Sequence, residues 1–341
     1  MTRASDFSRE ILPQVSRTFA LSIRVLPGGL GDAVRNAYLI CRIADTVEDE
    51  PNYPAEQKAK LFDVLDRCLD HPAEAAEFAA LAADLTGDPA HVRLVRNANL
   101  VFDEFAALSP ESRVSVRRWV GEMIAGMKKF SLAYPRGVRI QSLDEYKEYC
   151  YYVAGTVGYL LTDLWHQHSP SIGQLQYDAL RAKSRAFAEA LQTVNILKDV
   201  ARDAEHENSI YVPQDLLRAH GSAHDSLLAD GRVEGTRQAL GTLVQLAWHD
   251  LEEAKAYLLT IPRRAISIRL FCALPLLFAY ATLRDLTRKP GALARRENVK
   301  ISRSEVKSIT VLSVLGVWSN RLLARLVERT RSGGAVERWT G

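Results

Sequence analysis

Apolar residues recur at helical spacing along most of the chain. Two stretches show the pattern clearly: Leu61, Leu65, Cys68 and Leu69, and then Leu243, Leu246, Ala247, Leu251 and Ala254. Steps of three and four residues place side chains on one face of an α-helix. Runs that alternate apolar and polar residues, as half-buried strands require, are nearly absent. The pattern therefore predicts an all-α protein.

Short clusters of proline and glycine divide this helical pattern. They lie at 27–31, 51–54, 87–89, 134–137, 168–173, 260–262 and 289–291. The segments between them have room for about ten helices of typical length. No repeat, Gly/Ser-rich linker or shift in composition marks a boundary, so residues 1–341 are predicted to form a single domain. We expect the end of the chain, from Thr330 to Gly341, to be frayed.

Composition is that of a globular protein with a sizeable core, with 47% hydrophobic and 25% charged residues. The net charge of +3 comes from 44 basic and 41 acidic residues, which gives no support to nucleic-acid binding. The four cysteines are scattered among apolar residues without a CxxC pair. We interpret them as packed, reduced thiols of a cytoplasmic protein.

The sequence gives no clear membrane span. Three uncharged runs, 149–162, 270–283 and 308–320, are shorter than the roughly 20 residues that a spanning helix needs. The first residues lack the apolar stretch of a signal peptide. A weak peripheral contact with anionic lipid headgroups stays open, because basic residues gather late in the chain: Arg284, Arg288, Lys289, Arg295, Arg296, Lys300, Arg303 and Lys307. The sequence does not predict the oligomeric state.

The first candidate for chemistry is the acidic run 45–49, which continues the apolar helical stretch 37–44. A spacing of four places Asp45 and Asp49 one helical turn apart on the same face, and Glu48 lies on a neighbouring stripe. A solvated helix end before a proline would explain this run by itself. Its continuity with an apolar stretch also allows the carboxylates to point into a cavity.

The second candidate lies at 192–203, where Asn195, Asp199 and Asp203 follow one another at steps of four, one turn after Gln192. The residues between them are mostly apolar. A buried helix with one stripe of carboxylates and amides is unusual, because buried carboxylates are costly unless they are paired or bind a metal. Such oxygen ligands suit Mg²⁺, which binds through one or two carboxylates and substrate phosphates. They suit zinc poorly, since no histidine or cysteine is placed to help.

Two further patterns fit a diphosphate and an apolar chain. Ser16, Arg17 and Thr18 supply hydroxyl and guanidinium donors for phosphate oxygens, and Arg42 and Lys198 each lie near an acidic motif. Ordinary surface charge would also explain each basic residue. The stretch 149–158 combines tyrosines with Ala154, Gly155 and Gly158, small residues that allow either close helix packing or the approach of an apolar chain.

Together these motifs resemble the squalene/phytoene synthase family, which joins two prenyl diphosphates head to head. The resemblance covers about Ser16 to Arg303. It depends on Tyr38 and Arg42 before the acidic run 45–49, on the run 195–203 leading to 211–213, and on the Tyr-Cys-x-Tyr-Val-Ala-Gly stretch 149–155. Three motifs in the expected order are far more specific than any one of them.

The resemblance implies an all-α isoprenoid-synthase fold with a central cavity between the two aspartate helices. It implies that Mg²⁺ is held by Asp45, Glu48, Asp49, Asn195, Asp199 and Asp203. It implies that the diphosphate is bound by Ser16, Arg17, Thr18, Arg42, Gln192, Asn195 and Lys198. The implied catalytic residues are Tyr149, as a proton shuttle, with Arg42 and Tyr38.

The resemblance favours squalene as the product, formed from farnesyl diphosphate through a cyclopropyl diphosphate and reduction by NADPH. The stretches 272–275 and 298–301 are similar to those of squalene synthases, and they place Lys300 and Arg303 at the expected NADPH site. However, the arginine that usually precedes the family's Tyr-x-Pro is missing from 207–211, and the residue before Asp199 is a lysine. A non-reducing product, dehydrosqualene, phytoene or hydroxysqualene, therefore stays open.

Rival functions fit less well. A di-iron bundle needs Glu-x-x-His pairs on two helices, and none is present. A terpene cyclase or a head-to-tail prenyltransferase shares the metal chemistry, but the stretch 149–155 argues against both. A non-catalytic helical scaffold explains the core but not the two acidic stripes.

Overall fold

The structure, a computed structural model, describes residues 2–229, 233–288 and 299–333, except for the side chains of Arg17 and Val233. The described residues form sixteen α-helices and no strand, so the predicted all-α class is confirmed. The helices are α1 Arg3–Val15, α2 Arg17–Ile23, α3 Gly28–Glu48, α4 Ala55–Cys68, α5 Ala75–Leu81, α6 Pro89–Arg96, α7 Ala98–Ala106, α8 Pro110–Ala133, α9 Leu143–Cys150, α10 Thr156–His168, α11 Gln174–His206, α12 Gln214–Ala219, α13 Val233–Thr260, α14 Ile266–Arg288, α15 Arg303–Gly316 and α16 Asn320–Ser332.

The helices are more numerous than the ten or so that the proline and glycine clusters predict. The additional breaks arise where a short polar side chain caps a new helix. Ser16 ends α1, and its Oγ accepts a hydrogen bond from the N–H of Phe19 at 3.2 Å, which starts α2. Ser109 caps α8 in the same way, with Pro110 in the first turn. Local caps therefore divide stretches whose apolar periodicity is continuous.

The described chain forms two compact units. The first contains Met1–Val138 and Tyr159–Pro170, and the second contains Arg139–Gly158 and Ser171–Gly341. The boundary between Gly158 and Tyr159 falls within α10. The single-domain organisation stays a prediction.

In the first unit, α3 is the most buried helix and packs against α7 and α8. One buried ion pair joins α3 to α7, since Arg35 Nη2 lies 2.5 Å from Glu104 Oε1. On α8, Trp119 stacks on Tyr159 at 4.8 Å, and its Nε1–H donates to Asp163 Oδ2 at 2.7 Å. The ion pair anchors α3, whose last turn carries the first acidic motif, and the Trp119 contacts join α8 to α10.

In the second unit, α11 packs along α13 and against α14, and the segment between α9 and α10 lies against it. Residues 151–155 form one turn of π-helix, which inserts an extra residue into the helical path. A Cβ added at Gly158 would lie 2.2 Å from the carbonyl oxygen of Ser184. The small residues of this stretch are thus used for close helix packing, one of the two alternatives that the sequence left open.

Helix α14 contains the uncharged run 270–283 and extends beyond it at both ends. By length and composition alone, Ile266–Arg288 is apolar enough to cross a bilayer, and 72% of its most apolar stretch is buried inside the protein. The fully buried Arg269 donates to the carbonyl oxygens of Val317 and Ile261. Core helices of soluble proteins share these features, so α14 is weak evidence for a membrane span.

The C-terminal end is more ordered than the predicted fraying from Thr330. Thr330 is fully buried, and its Oγ1–H donates to Leu326 O at 2.8 Å. Its carbonyl oxygen accepts a hydrogen bond from Arg284, which is also paired with the buried Glu305 at 2.7 Å. The prediction is wrong for residues 330–332, because tertiary contacts hold them in α16, and residues 334–341 lie outside the described residues. All four cysteines are buried and free, as predicted.

The close approach at Gly158 gives a stability test. Gly158→Ala should destabilise the protein by about 1–3 kcal/mol, because the new methyl group meets backbone that has no room to move. The melting temperature should fall by roughly 2–4 °C per kcal/mol. Gly241→Ala is the matched control, since its Cβ would enter open space within α13. The free energy of unfolding of Gly241→Ala should rise by about 0.5–1 kcal/mol. Equal melting temperatures for the two variants would contradict the packing described here.

Candidate active site

The first acidic motif occupies the last turn of α3, where three predicted residues come into contact. Arg42 Nη1 lies 3.3 Å from Asp45 Oδ2, and its Nη2–H donates to the hydroxyl of Tyr38 at 3.1 Å. The helix ends at Glu48, and the N–H of Asp49 donates to the Asp45 carbonyl oxygen at 2.9 Å. Helical spacing alone aligns Tyr38, Arg42 and Asp45 on one side of α3.

Asp45 and Asp49 differ in their surroundings, although they lie one turn apart. The side chain of Asp45 is 28% accessible, whereas Asp49 is exposed at the end of the helix. Burial raises the pKa of Asp45, and the nearby Arg42 and His91 act against that rise. The pKa of His91 is itself lowered by burial and by Arg42. A carboxylate that is partly removed from water and only partly neutralised is well suited to accept a cation.

Arg42 has an unused donor. Its Nε–H is buried and donates to no atom of the described residues, although the guanidinium contacts both Tyr38 and Asp45. Burial acts to lower the pKa of Arg42, but the attraction of Asp45 and the contact with Tyr38 keep that pKa above its usual value. A buried donor without a partner costs free energy. An anionic ligand with oxygen acceptors fits this group.

The two hydroxyl residues predicted near the N-terminus, Ser16 and Thr18, differ in exposure. Ser16 is half-buried, and its Oγ accepts the capping hydrogen bond from Phe19, which leaves the O–H able to donate to a phosphate oxygen. Thr18 is exposed. The side chain of Arg17 lies outside the described residues. Phe19 itself was not a predicted site residue, and its ring lies 5.5 Å from that of Tyr38.

The second acidic motif lies on α11 in the second unit. Lys198 Nζ lies 3.0 Å from Asp199 Oδ2, and the two side chains are 31% and 20% accessible. Asp203 is buried, and its carbonyl oxygen accepts hydrogen bonds from Glu207 and Ser209. The apolar residues between them are buried as expected: Val194, Ile196, Leu197 and Val200.

The expectation of a uniformly buried polar stripe on α11 needs correction. Asn195 is exposed and Gln192 is half-buried, and burial increases only from Asn195 to Asp203. The stripe therefore carries oxygen atoms at several depths. The step of four residues fixes their common side of the helix, but only the packing around α11 sets how far each lies from water.

Tyr149 is almost fully buried and stacks on Tyr211, with ring centroids 4.8 Å apart and planes inclined by 29°. The two tyrosines come from distant motifs of the sequence that the resemblance had listed separately. Tyr149 lies directly before the π-helical turn at 151–155. Such turns often occur at functional sites, because they displace side chains from regular helical positions.

A cluster of charged residues beside this turn was not predicted. Arg185 Nε–H donates to Glu189 Oε1 at 2.5 Å, and the Arg185 guanidinium lies 4.9 Å from the Tyr151 ring centroid. Burial raises the pKa of Glu189 to about 7, with a further rise from Asp250 on α13. The spacing of four between Arg185 and Glu189 predicts an ion pair. Asp250 is brought near only by the tertiary packing of α13 on α11.

The residues expected to bind NADPH are both exposed. Lys300 precedes α15, and Arg303 is the first residue of that helix, which Ser302 caps. Asn298, the first residue of the similar stretch, lies outside the described residues. In the loop that lacks the usual arginine, Arg139 donates to both the carbonyl oxygen and the Oδ1 of Asn208.

No described part of the chain holds a complete metal site. Within the described residues, no three histidine, cysteine, aspartate or glutamate side chains gather around a common point. The carboxylates of Asp45 and Asp199 offer oxygen ligands of the kind that Mg²⁺ prefers. A surface groove of about 570 Å³ between α4 and α8 contains none of the predicted residues. The two acidic motifs belong to different units, and their expected meeting around one cavity stays a prediction.

The profile of one protein family, described as squalene/phytoene synthase, matches residues 12–305 of this chain. That range includes both acidic motifs and the tyrosine stretch. The chain belongs to the squalene/phytoene synthase family. Within this family it is 28% identical over 308 residues to squalene synthase of Schizosaccharomyces pombe, an alignment that covers 89% of this chain and 64% of that protein. The chain thus spans less than two thirds of the length of this curated relative.

Two solved structures share the fold of this family member. The complex of TcSQS with the ligand BPH1237 superposes with a TM-score of 0.80 at 21% identity, covering 99% of this chain and 94% of that chain. A dehydrosqualene synthase in complex with a ligand superposes with a TM-score of 0.57 at 21% identity, covering 97% and 96%. The expected family fold is therefore confirmed.

The buried Glu189 gives a pH test. Its pKa of about 7 exceeds the ordinary value of 4.5, so between these values the unfolded chain loses a proton that the folded protein keeps. Wild-type stability should therefore fall as the pH rises from 5 to 8. Glu189→Gln should remove that fall. Between pH 5 and pH 8, its free energy of unfolding should rise relative to that of wild type by on the order of 1–3 kcal/mol. Urea unfolding at each pH measures it, and pH 5 is the internal reference. A relative loss at pH 8 would mean that Arg185 stabilises the carboxylate more than burial destabilises it.

Proposed function

We propose that this protein is a head-to-head prenyltransferase that joins two farnesyl diphosphate molecules through a cyclopropyl (presqualene) diphosphate to squalene. The observation that carries the proposal is the contact of Tyr38, Arg42 and Asp45 on α3, with the unused buried donor of Arg42. It combines a cation-accepting carboxylate and an anion-accepting guanidinium within one turn. The family membership and the relatives named squalene synthase support it.

The carboxylates and amide of the two motifs would hold Mg²⁺: Asp45, Glu48, Asp49, Asn195, Asp199 and Asp203. When bound, the metal neutralises the diphosphate and makes it a better leaving group. The protein offers each motif with a basic neighbour already in contact, Arg42 beside Asp45 and Lys198 beside Asp199. This pairing leaves guanidinium and ammonium donors for phosphate oxygens.

The first donor set consists of Ser16, Arg17, Thr18 and Arg42, and the second of Gln192, Asn195 and Lys198. Arg42 would donate its Nε–H to a phosphate oxygen, which satisfies the group that is otherwise buried without a partner. The hydroxyl oxygen of Tyr38 accepts a hydrogen bond from Nη2–H of the same guanidinium. Binding of diphosphate at Arg42 would therefore orient Tyr38 as well.

The allylic part of the reaction would use the tyrosine pair. The stacked rings of Tyr149 and Tyr211 present aromatic faces that stabilise a nearby positive charge. The hydroxyl of Tyr149 would act as the proton shuttle. Burial of both tyrosines excludes water, which would otherwise capture a carbocation.

Reduction to squalene would require NADPH, for which Lys300 and Arg303 are the proposed contacts. Both are exposed, so they could pair with phosphate groups of the cofactor. The second candidate function is a non-reducing reaction that yields dehydrosqualene, phytoene or hydroxysqualene. The observation that favours it is the missing arginine at 207–211, where Arg139 already uses its donors on Asn208. A non-catalytic scaffold is the alternative from another class.

Loss of one carboxylate should separate the enzyme from the scaffold. Asp45→Asn and Asp199→Asn should each lower the rate of diphosphate release from farnesyl diphosphate with Mg²⁺ by on the order of 10²-fold or more, because each removes charge needed in the transition state. Asp178→Asn, an exposed aspartate on α11, is the matched control and should keep the wild-type rate. Colorimetric measurement of released diphosphate reports the rate. Wild-type rates in both site variants would exclude the proposed roles of these residues.

Product analysis decides between the reducing and non-reducing functions. Purified protein is incubated with farnesyl diphosphate and Mg²⁺, with and without NADPH, and the product is identified by mass spectrometry. We expect squalene only when NADPH is present. Dehydrosqualene, an alcohol or an accumulated cyclopropyl diphosphate in the presence of NADPH would instead support the non-reducing function. Turnover of geranylgeranyl diphosphate, with no turnover of farnesyl diphosphate, would indicate phytoene as the product.

A further inference from the structure

The second unit exposes an apolar patch on α15 and the start of α16. The patch consists of Val311, Val314, Leu315, Trp318 and Leu322, which are 57%, 48%, 67%, 61% and 47% exposed. Steps of three and four residues place the first four along one side of α15 and its continuation. Large apolar side chains, tryptophan included, rarely gather on the surface of a soluble protein unless the surface binds something.

The patch is distinct from the other exposed apolar residues of the described chain. Those residues are spread over separate helices: Leu21, Val114, Leu132 and Leu175. Single exposed hydrophobic residues are normal and need no partner. The five residues of the patch instead all fall within a segment of twelve residues, 311–322. The opposite side of α15 is already used, because Ile309 and Ser313 are buried.

Basic residues surround the patch. We define the basic rim as Lys307, one turn before Val311 on α15, with Arg321, Arg325 and Arg329 at steps of four along α16. All four are exposed, and none forms an ion pair with a carboxylate of the described residues. The acidic residues of these two helices are engaged elsewhere, Glu305 with the buried Arg284 and Glu328 with Lys255. The rim thus carries uncompensated positive charge.

We propose that the apolar patch and the basic rim together bind the surface of an anionic phospholipid bilayer. The apolar side chains enter the boundary between headgroups and acyl chains, where tryptophan is favoured, while the cations of the rim contact lipid phosphates. The protein lies on the membrane by this surface and does not cross it there. This inference is independent of the proposed enzymatic activity.

Charge decides between a bilayer and a second copy of the chain. A symmetric dimer built on the patch would place the same surface of both copies together and bring the two basic rims close to each other. Like charges facing each other across an interface weaken it. An anionic bilayer supplies the opposite charge, and each basic residue near such a surface strengthens binding by about fivefold. The rim therefore favours lipid over self-association.

The test uses the full chain with vesicles of phosphatidylcholine, with or without phosphatidylglycerol, in a flotation assay. Wild-type protein should bind the vesicles that contain phosphatidylglycerol and should lose binding as salt is raised. The double variant Leu315→Ser with Trp318→Ser should reduce the partition coefficient by on the order of tenfold or more. The double variant Arg321→Gln with Arg325→Gln should reduce binding to the anionic vesicles but not the weak binding to neutral ones.

Matched controls separate this surface from general effects. Leu175→Ser removes a hydrophobic residue that is 78% exposed on α11, and Lys60→Gln removes an exposed cation on α4. Both should bind as wild type does, and circular dichroism should show that every variant keeps its helical content. Equal binding of wild type and the patch variants would overturn the proposal. So would a concentration-dependent dimer that the patch variants abolish in protein that binds no vesicles, or vesicle binding that appears only after residues 334–341 are removed.

Discussion

The structure depends on how an apolar helical scaffold accommodates charged side chains. A charge removed from water is costly unless another charge or hydrogen-bond donor lies close by. The protein meets this requirement repeatedly, with Arg35 beside Glu104, with Arg284 beside Glu305, and with the fully buried Arg269 bonded to backbone carbonyl oxygens. These contacts hold helices together, although Arg35 Nε and Glu104 Oε2 are themselves buried without a hydrogen-bond partner among the described residues.

The candidate site departs from that rule in a way that matters for function. Arg42 contacts Tyr38 and Asp45 but retains a buried donor without a partner, and burial still raises the pKa of Asp45. The buried pair of Arg35 and Glu104 also retains an unpartnered Nε, so the site is distinguished by the position of Arg42 beside a carboxylate whose pKa burial raises. The incomplete pairing leaves room for a ligand that brings both positive and negative charge, as a metal-bound diphosphate does. The cations of the basic rim also differ from the paired charges nearby. They face solvent and form no ion pair with a carboxylate of the described residues.

Helical periodicity and polar spacing in the sequence were enough to predict the all-α class and the buried cysteines, whereas Tyr38 came only from the family resemblance. These features depend on residues within a few turns of one helix, where geometry is fixed by 3.6 residues per turn. Helix boundaries were predicted less well where a capping side chain starts a new helix. Ser16 and Ser109 begin new helices outside the proline and glycine clusters, so the number of helices was underestimated. Fraying from Thr330 was wrong for a different reason, since Arg284 binds the carbonyl oxygen of that residue from another helix.

The sequence by itself determined which residues share a helix face and which chemical groups the two acidic motifs offer, because both follow from local spacing. Only the tertiary structure decided how deeply each group lies: Asn195 is exposed while Asp203, on the same stripe, is buried. It also decided that Tyr149 stacks on Tyr211 and that Asp250 lies near Glu189, contacts between residues far apart in the chain. Burial and long-range contact result from the packing of whole helices, and packing depends on many side chains at once, so no short stretch of sequence specifies it.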